Sequence, residues 1–181
     1  MSSYSKAYLT RLQWLDRLII VGSVLACCLL LMVRFPGTSL LGIGPNWLLI
    51  WMVVWSVKRN TYEIVVAAIA LGLIQDGMSS PYPSHVLSLV VVGMLTAKVN
   101  KQKYFREDFI SIALVVFAMA IVAETIIAIQ YSLQVLRPLS EIWMQYQRTA
   151  VSSAIISSLW TPIAYLPLNW WWKKLRQLEE Y

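Results

Sequence analysis

The sequence predicts an all-α, polytopic membrane protein: a six-transmembrane-helix bundle with N-terminus and C-terminus cytoplasmic. Three observations lead there. Apolar types make up 59% of the 181 residues and charged types 13%, against about half and about a quarter in soluble domains. The apolar residues gather in six runs, roughly Leu18 to Val33, Asn46 to Val57, Tyr62 to Ile74, His85 to Ala97, Phe109 to Leu136 and Thr149 to Trp172. The fifteen Lys and Arg residues fall unevenly between those runs.

If all six runs cross a bilayer, the intervals between them alternate sides, and basic residues should favour the cytoplasmic side. Lys6, Arg11 and Arg17 precede the first run, and Lys58 and Arg59 follow the second. Lys98, Lys101, Lys103 and Arg106 follow the fourth; Lys173, Lys174 and Arg176 follow the sixth. The opposite side receives only Arg34, Arg137 and Arg148. One integral-membrane helical domain over 1–181 is expected, with approximate spans 15–34, 40–57, 61–77, 82–98, 109–136 and 149–172.

The longest hydrophilic intervals, Lys98 to Asp108 and Arg137 to Arg148, are each about a dozen residues, leaving no extramembrane space for an ATPase, kinase or hydrolase fold. The net charge of +6 sits at the ends of apolar runs and not along one soluble face. Anionic lipid headgroups, and not nucleic acid, are therefore its natural counterpart.

In the first run Gly22 and Ala26 stand four residues apart, a small-xxx-small pair that serves either specific helix docking or ordinary tight packing. Cys27 and Cys28 are adjacent within it and read as small apolar packing residues. No small-x-small cleavage site follows, so a cleaved signal peptide is not expected.

Between Phe35 and Asn46, Gly37, Gly42, Gly44 and Pro45 break the backbone, which predicts an ordered outer connection. Pro45 suits the first helical position, where its missing amide costs nothing. Trp47, Trp51 and Trp55 then recur every fourth residue. One stripe results, read as a packing seam with an interface anchor in preference to a ligand-stacking wall.

The second, third and fourth runs are only about 12 to 14 residues, whereas crossing the hydrocarbon core takes about 20. Either each helix continues through a sheltered polar end, or Tyr62 to Ala97 forms a re-entrant hairpin. Gln75, Asp76 and the turn-rich Gly77 to Ser84 favour two true crossings joined by a full exterior loop. The fifth run is long enough to span with tilt. The sixth contains Pro162 and Pro167, expected to bend or loosen its cytoplasmic half, and ends in Trp170, Trp171 and Trp172 before Lys173.

Glu124 lies near the middle of the fifth run, where an ionisable group is costly and faces a cavity or a partner. It serves either a proton, cation or intersubunit-pairing role, or, as a protonated acid, hydrogen-bonds Ser, Thr or Trp neighbours. Asp76 can cap the next element or anchor the loop through backbone amides. His85, the single histidine, has no ligand-spaced Cys or carboxylate around it, so no metal is expected. No nucleophile elbow, phosphate loop or paired exterior carboxylates are present. No enzyme activity and no cofactor are expected.

At Pro45-Asn46-Trp47-Leu48-Leu49-Ile50-Trp51, Lys58-Arg59 and Leu71-Gly72-Leu73-Ile74-Gln75-Asp76 the chain resembles the rod shape-determining protein MreD family. That family's pattern is a proline-led second helix, a basic cytoplasmic turn and a glycine-leucine-x-x-aspartate motif before a turn. Pro81 to His85 departs from the proline-leucine-glycine element the family more often has there. The resemblance implies a non-enzymatic scaffold of the rod-shape machinery in the bacterial inner membrane. Its expected partner is the bitopic protein MreC and, indirectly, the actin-like MreB, the RodA glycosyltransferase and a class B penicillin-binding protein. It also implies a bundle similar to the S-components of energy-coupling-factor transporters, and a vitamin-binding S-component is the alternative function. Pro45, Asn46, Arg59, Gly72, Asp76, Glu124, Gly22 and Ala26 are the candidate structural and interaction residues.

Overall fold

The computed structural model describes the backbone of residues 3–33, 39–57, 59–79, 82–100, 108–133 and 138–179, and side chains within 14–99 and 108–175 of those stretches. Arg34, Lys58, Lys101, Lys103, Arg106 and Arg137 lie outside the described residues, as do the side chains of Lys6, Arg11 and Arg176. The described residues form six helices: α1 Ser3–Met32, α2 Trp47–Ser56, α3 Thr61–Met78, α4 His85–Asn100, α5 Phe109–Leu133 and α6 Leu139–Glu179. The described residues contain no β-strand longer than an isolated bridge, Leu40 to Ile43. Among the described residues four helices are long and apolar enough to cross a membrane: α1, α3, α5 and α6.

The shortest helix organises the rest. At 10 residues α2 is about 15 Å long, half the hydrocarbon thickness, yet it touches all five other helices. Every residue from Trp47 to Ser56 is buried, as expected of a helix apolar on all sides. Sheltered by protein, α2 does not need a length that matches lipid. Around it α3 and α4 form one closely packed pair and α5 and α6 another, while α4 also packs on α5 and α1 rests chiefly on α2.

The start of α2 differs from the sequence reading at Pro45. Asn46, not Pro45, sets the boundary: its side chain accepts the Leu49 amide at 3.1 Å and Trp47 is the first helical residue. A side-chain oxygen that satisfies an otherwise orphaned amide is a stronger start signal than proline alone. Residues 40–46, which the approximate span 40–57 includes and the expected outer connection also covers, form a tight turn and lead-in ahead of α2. Leu40 and Ile43 exchange backbone hydrogen bonds of 2.9 Å across Leu41 and Gly42, both at positive φ, the conformation of a type I′ turn.

Helix α6 also departs from expectation. It runs 41 residues and begins at Leu139, inside the interval expected to be an outer loop. Leu139, Ile142, Trp143 and Tyr146 stand at i, i+3, i+4 and i+7, a helical stripe that the polar residues between them concealed. Pro138 precedes the first turn and its carbonyl accepts the Glu141 and Ile142 amides. The helix continues through Pro162 and Pro167 to Glu179.

Glycine fixes how closely α3 and α4 approach. A methyl group on Gly72 would overlap the backbone of Val86, and one on Gly93 would meet the Ile64 and Met52 side chains at 2.8 Å. The pairs 72 with 86 and 64 with 93 run in opposite directions, so the two helices are antiparallel along most of their length.

Candidate functional site

Among the described residues three polar constellations interrupt the apolar bundle. The first joins α1, α6 and the α2–α3 turn at the end where the basic residues gather. Arg59 pairs with Asp16 at 3.0 Å and lies 3.8 Å from Glu63, and its guanidinium sits over the Trp55 ring, 5.3 Å from the centroid. The other Asp16 oxygen accepts the Trp171 indole N–H at 3.2 Å. Trp55 in turn stacks on Trp51 with centroids 5.4 Å apart, and the Trp51 N–H donates to Ser23 at 2.8 Å. The four-residue tryptophan spacing thus becomes a ladder from mid-bundle to an ion pair, and Trp47 adds an edge contact to Trp160.

The second constellation closes the opposite end. Asp76 accepts the Ser84 hydroxyl at 2.8 Å and the His85 amide at 2.7 Å, and the His85 Nδ1 lies 2.8 Å from its Oδ1. One carboxyl therefore holds the first residue of α4 against the last turn of α3. Gln130 of α5 grips the same loop from the other side, accepting the Ser84 amide and donating to the Ser84 carbonyl, each at 3.0 Å. Sequence reasoning missed both His85 as a partner of Asp76 and Gln130. The Gln130 contact spans 46 residues, beyond any local pattern, while the nine-residue step to His85 needs the loop to fold back first.

The third lies beside the second. A cavity of about 340 Å³ opens between the start of α4, the last turns of α5 and the first turns of α6. Glu124, Tyr131, Gln145 and Thr149 contribute to its lining, and Ser153 of α6 is close enough to hydrogen-bond Glu124. Against it lies a wider groove of about 560 Å³ with an almost wholly apolar lining, which shares Ala128, Ile142 and Tyr146 with the cavity. The Tyr146 hydroxyl and Thr125 hydroxyl are 2.9 Å apart and fix the ring between the two spaces.

The remaining candidates take these places. Gly22 and Ala26 are exposed on α1, and among the described residues nothing lies within 4 Å of a methyl placed on Gly22, so Gly22 docks none of the described helices. Ala26 borders a separate apolar crevice of about 210 Å³ between α1 and α6, floored by Trp47 and Trp51 of α2. Asn46 ties α2 to α6 as well as capping it, since its amide donates to the buried Ser157 hydroxyl at 3.1 Å. Among the described residues no group of three or more His, Cys, Asp or Glu side chains could hold a metal ion.

The polar side chains mostly fasten one helix to another, with one cavity as the exception, and that arrangement defines a small helical membrane protein. Residues 10–174 match the rod shape-determining protein MreD family. The match covers most of the chain, which belongs to that family and so has a role in rod shape determination. No curated protein and no solved structure matches the chain.

Proposed function

We propose that the protein is a non-enzymatic scaffold of the cell-elongation machinery, threaded six times through the bacterial inner membrane with both ends in the cytoplasm. In this reading it grips the membrane helix of MreC and through it helps organise MreB, RodA, a class B penicillin-binding protein and peptidoglycan synthesis. The observation that carries the reading is the crevice between α1 and α6. Helix α1 buries little of its membrane stretch, leaving Leu18, Leu25 and Leu29 exposed around Gly22 and Ala26. Small residues flanked by leucines admit a second helix closely, and packing between helices in lipid depends on that approach. The crevice is lined on its far side by Ile163, Pro167 and Leu168, so one incoming helix would meet both walls.

Cysteine crosslinking in membranes tests this. With Cys27 and Cys28 replaced by serine, Ala26→Cys and Ile163→Cys should crosslink to single cysteines along the MreC helix, and Leu114→Cys on the exposed face of α5 should not. Equal crosslinking at Leu114, or none at the crevice while MreC still co-purifies, would reject the docking surface.

The alternative, a substrate-binding S-component of a vitamin transporter, draws support from the 340 Å³ cavity, which is within the size range of small-molecule sites. A native pulldown in mild detergent separates the two readings. Recovery of an energy-coupling ATPase without MreC would establish the alternative in place of the scaffold.

A further inference from the structure

The cavity at Glu124 and the apolar groove beside it form two compartments of opposite character with a common wall. On one side of Tyr146 lie a carboxyl, an amide and several hydroxyls. On the other, Ile129, Leu139 and Trp143 line a groove on the outer surface of α5 and α6, and all three are exposed there. A ligand confined to the cavity would leave the groove unfilled, and a purely apolar ligand would leave Glu124 facing hydrocarbon.

The charge of the cavity selects the head of such a ligand. No lysine or arginine lines it among the described residues, the His85 ring that does is engaged with Asp76 at 2.8 Å, and Glu124 has no ion-pair partner there. A carboxylate held within a membrane bundle is stabilised by a cation brought to it and destabilised by an anion. The hydroxyls and the Gln145 amide can donate and accept around that cation. We propose that these two spaces form a lateral binding site for a membrane lipid with a primary-amine headgroup, the amine at Glu124 and an acyl chain in the groove between α5 and α6. The site is separate from the α1–α6 crevice, so failure of the MreC crosslinks leaves it standing.

Native mass spectrometry of the purified full chain in detergent tests the proposal, with phosphatidylethanolamine, phosphatidylglycerol and free ethanolamine as probes. Phosphatidylethanolamine should be retained about tenfold more tightly than phosphatidylglycerol, and ethanolamine should not displace it. Glu124→Gln should abolish the preference, and Ala128→Trp, which fills the shared wall, should abolish retention. Size exclusion and tryptophan fluorescence check that both variants are folded; if either is not, the three probes on the unaltered chain decide. Equal retention of the two lipids, or an undiminished preference in Glu124→Gln, overturns the proposal. Displacement of the lipid by free ethanolamine also overturns it, in favour of a soluble amine.

Discussion

Replacing Asp76 separates two possible sources of order at the α3–α4 turn: the carboxyl as a hydrogen-bond hub, or apolar packing of the flanking helices alone. Asp76 accepts from the Ser84 hydroxyl and the His85 amide and lies within hydrogen-bond distance of the His85 ring, at 2.8, 2.7 and 2.8 Å. A hydrogen bond of this kind contributes about 1 kcal/mol net, because folding exchanges it for a bond to water, so Asp76→Ala should lose about 3 kcal/mol. Asp76→Asn keeps one carbonyl oxygen for the two His85 contacts and turns an amide toward the Ser84 hydroxyl, which can accept as well as donate. Its expected loss is about 1 kcal/mol. At about 2–4 °C per kcal/mol for a chain of this length, thermal unfolding in detergent should fall by roughly 6–12 °C for alanine and 2–4 °C for asparagine. Equal shifts for the two variants, or a shift below about 3 °C for alanine, would show that packing and not the carboxyl holds the turn.

The glycine contacts predict graded damage. Gly72→Ala would press a methyl onto the Val86 backbone and should cost about 1–3 kcal/mol, whereas Gly77→Ala, with open space around it, should be neutral or stabilise by up to about 1 kcal/mol. The unfolding midpoint should fall for Gly72→Ala and hold or rise for Gly77→Ala. The Arg59 and Asp16 side chains are 26% and 16% exposed; a double-mutant cycle of Arg59→Ala and Asp16→Asn should give a coupling of about 1 kcal/mol or more, and additive losses would assign the pair no energetic role. Trp51→Phe should remove the Ser23 hydrogen bond while keeping ring burial, losing about 1–2 kcal/mol, against about 3–5 kcal/mol for Trp51→Ala; both are read from unfolding curves.

The helical class and the number of helices were legible in the sequence because lipid-facing and buried surfaces alike demand continuous apolar runs. Phe109 to Leu136 was read from composition, and α5 occupies Phe109–Leu133 of it. Boundaries were harder. Leu139 to Arg148 is rich in polar residues, and counting polarity hid the apolar stripe of Ile142 and Tyr146 that turns toward α5. At the start of α2 the eye goes to Pro45, while the capping oxygen belongs to its neighbour Asn46. The functional geometry was least legible. Glu124 stood out as a charge in an apolar run, but its surroundings come from α4 and α6, and no spacing along one helix encodes them. Gly72 and Gly93 are alike in sequence context, yet one meets backbone and the other flexible side-chain ends.

The central position of α2 bears on how the chain is made. A ten-residue segment leaving the translocon alone is too short to rest stably across a bilayer. Its shielding includes α6, which leaves the ribosome more than 80 residues later and to which it is tied through Asn46 and Ser157. Nascent chains halted before α6 therefore present an incompletely covered tryptophan-rich segment to lipid and to quality-control proteases. Arrival of α6, and not insertion of the helices before it, is the step that commits this segment to its mature surroundings.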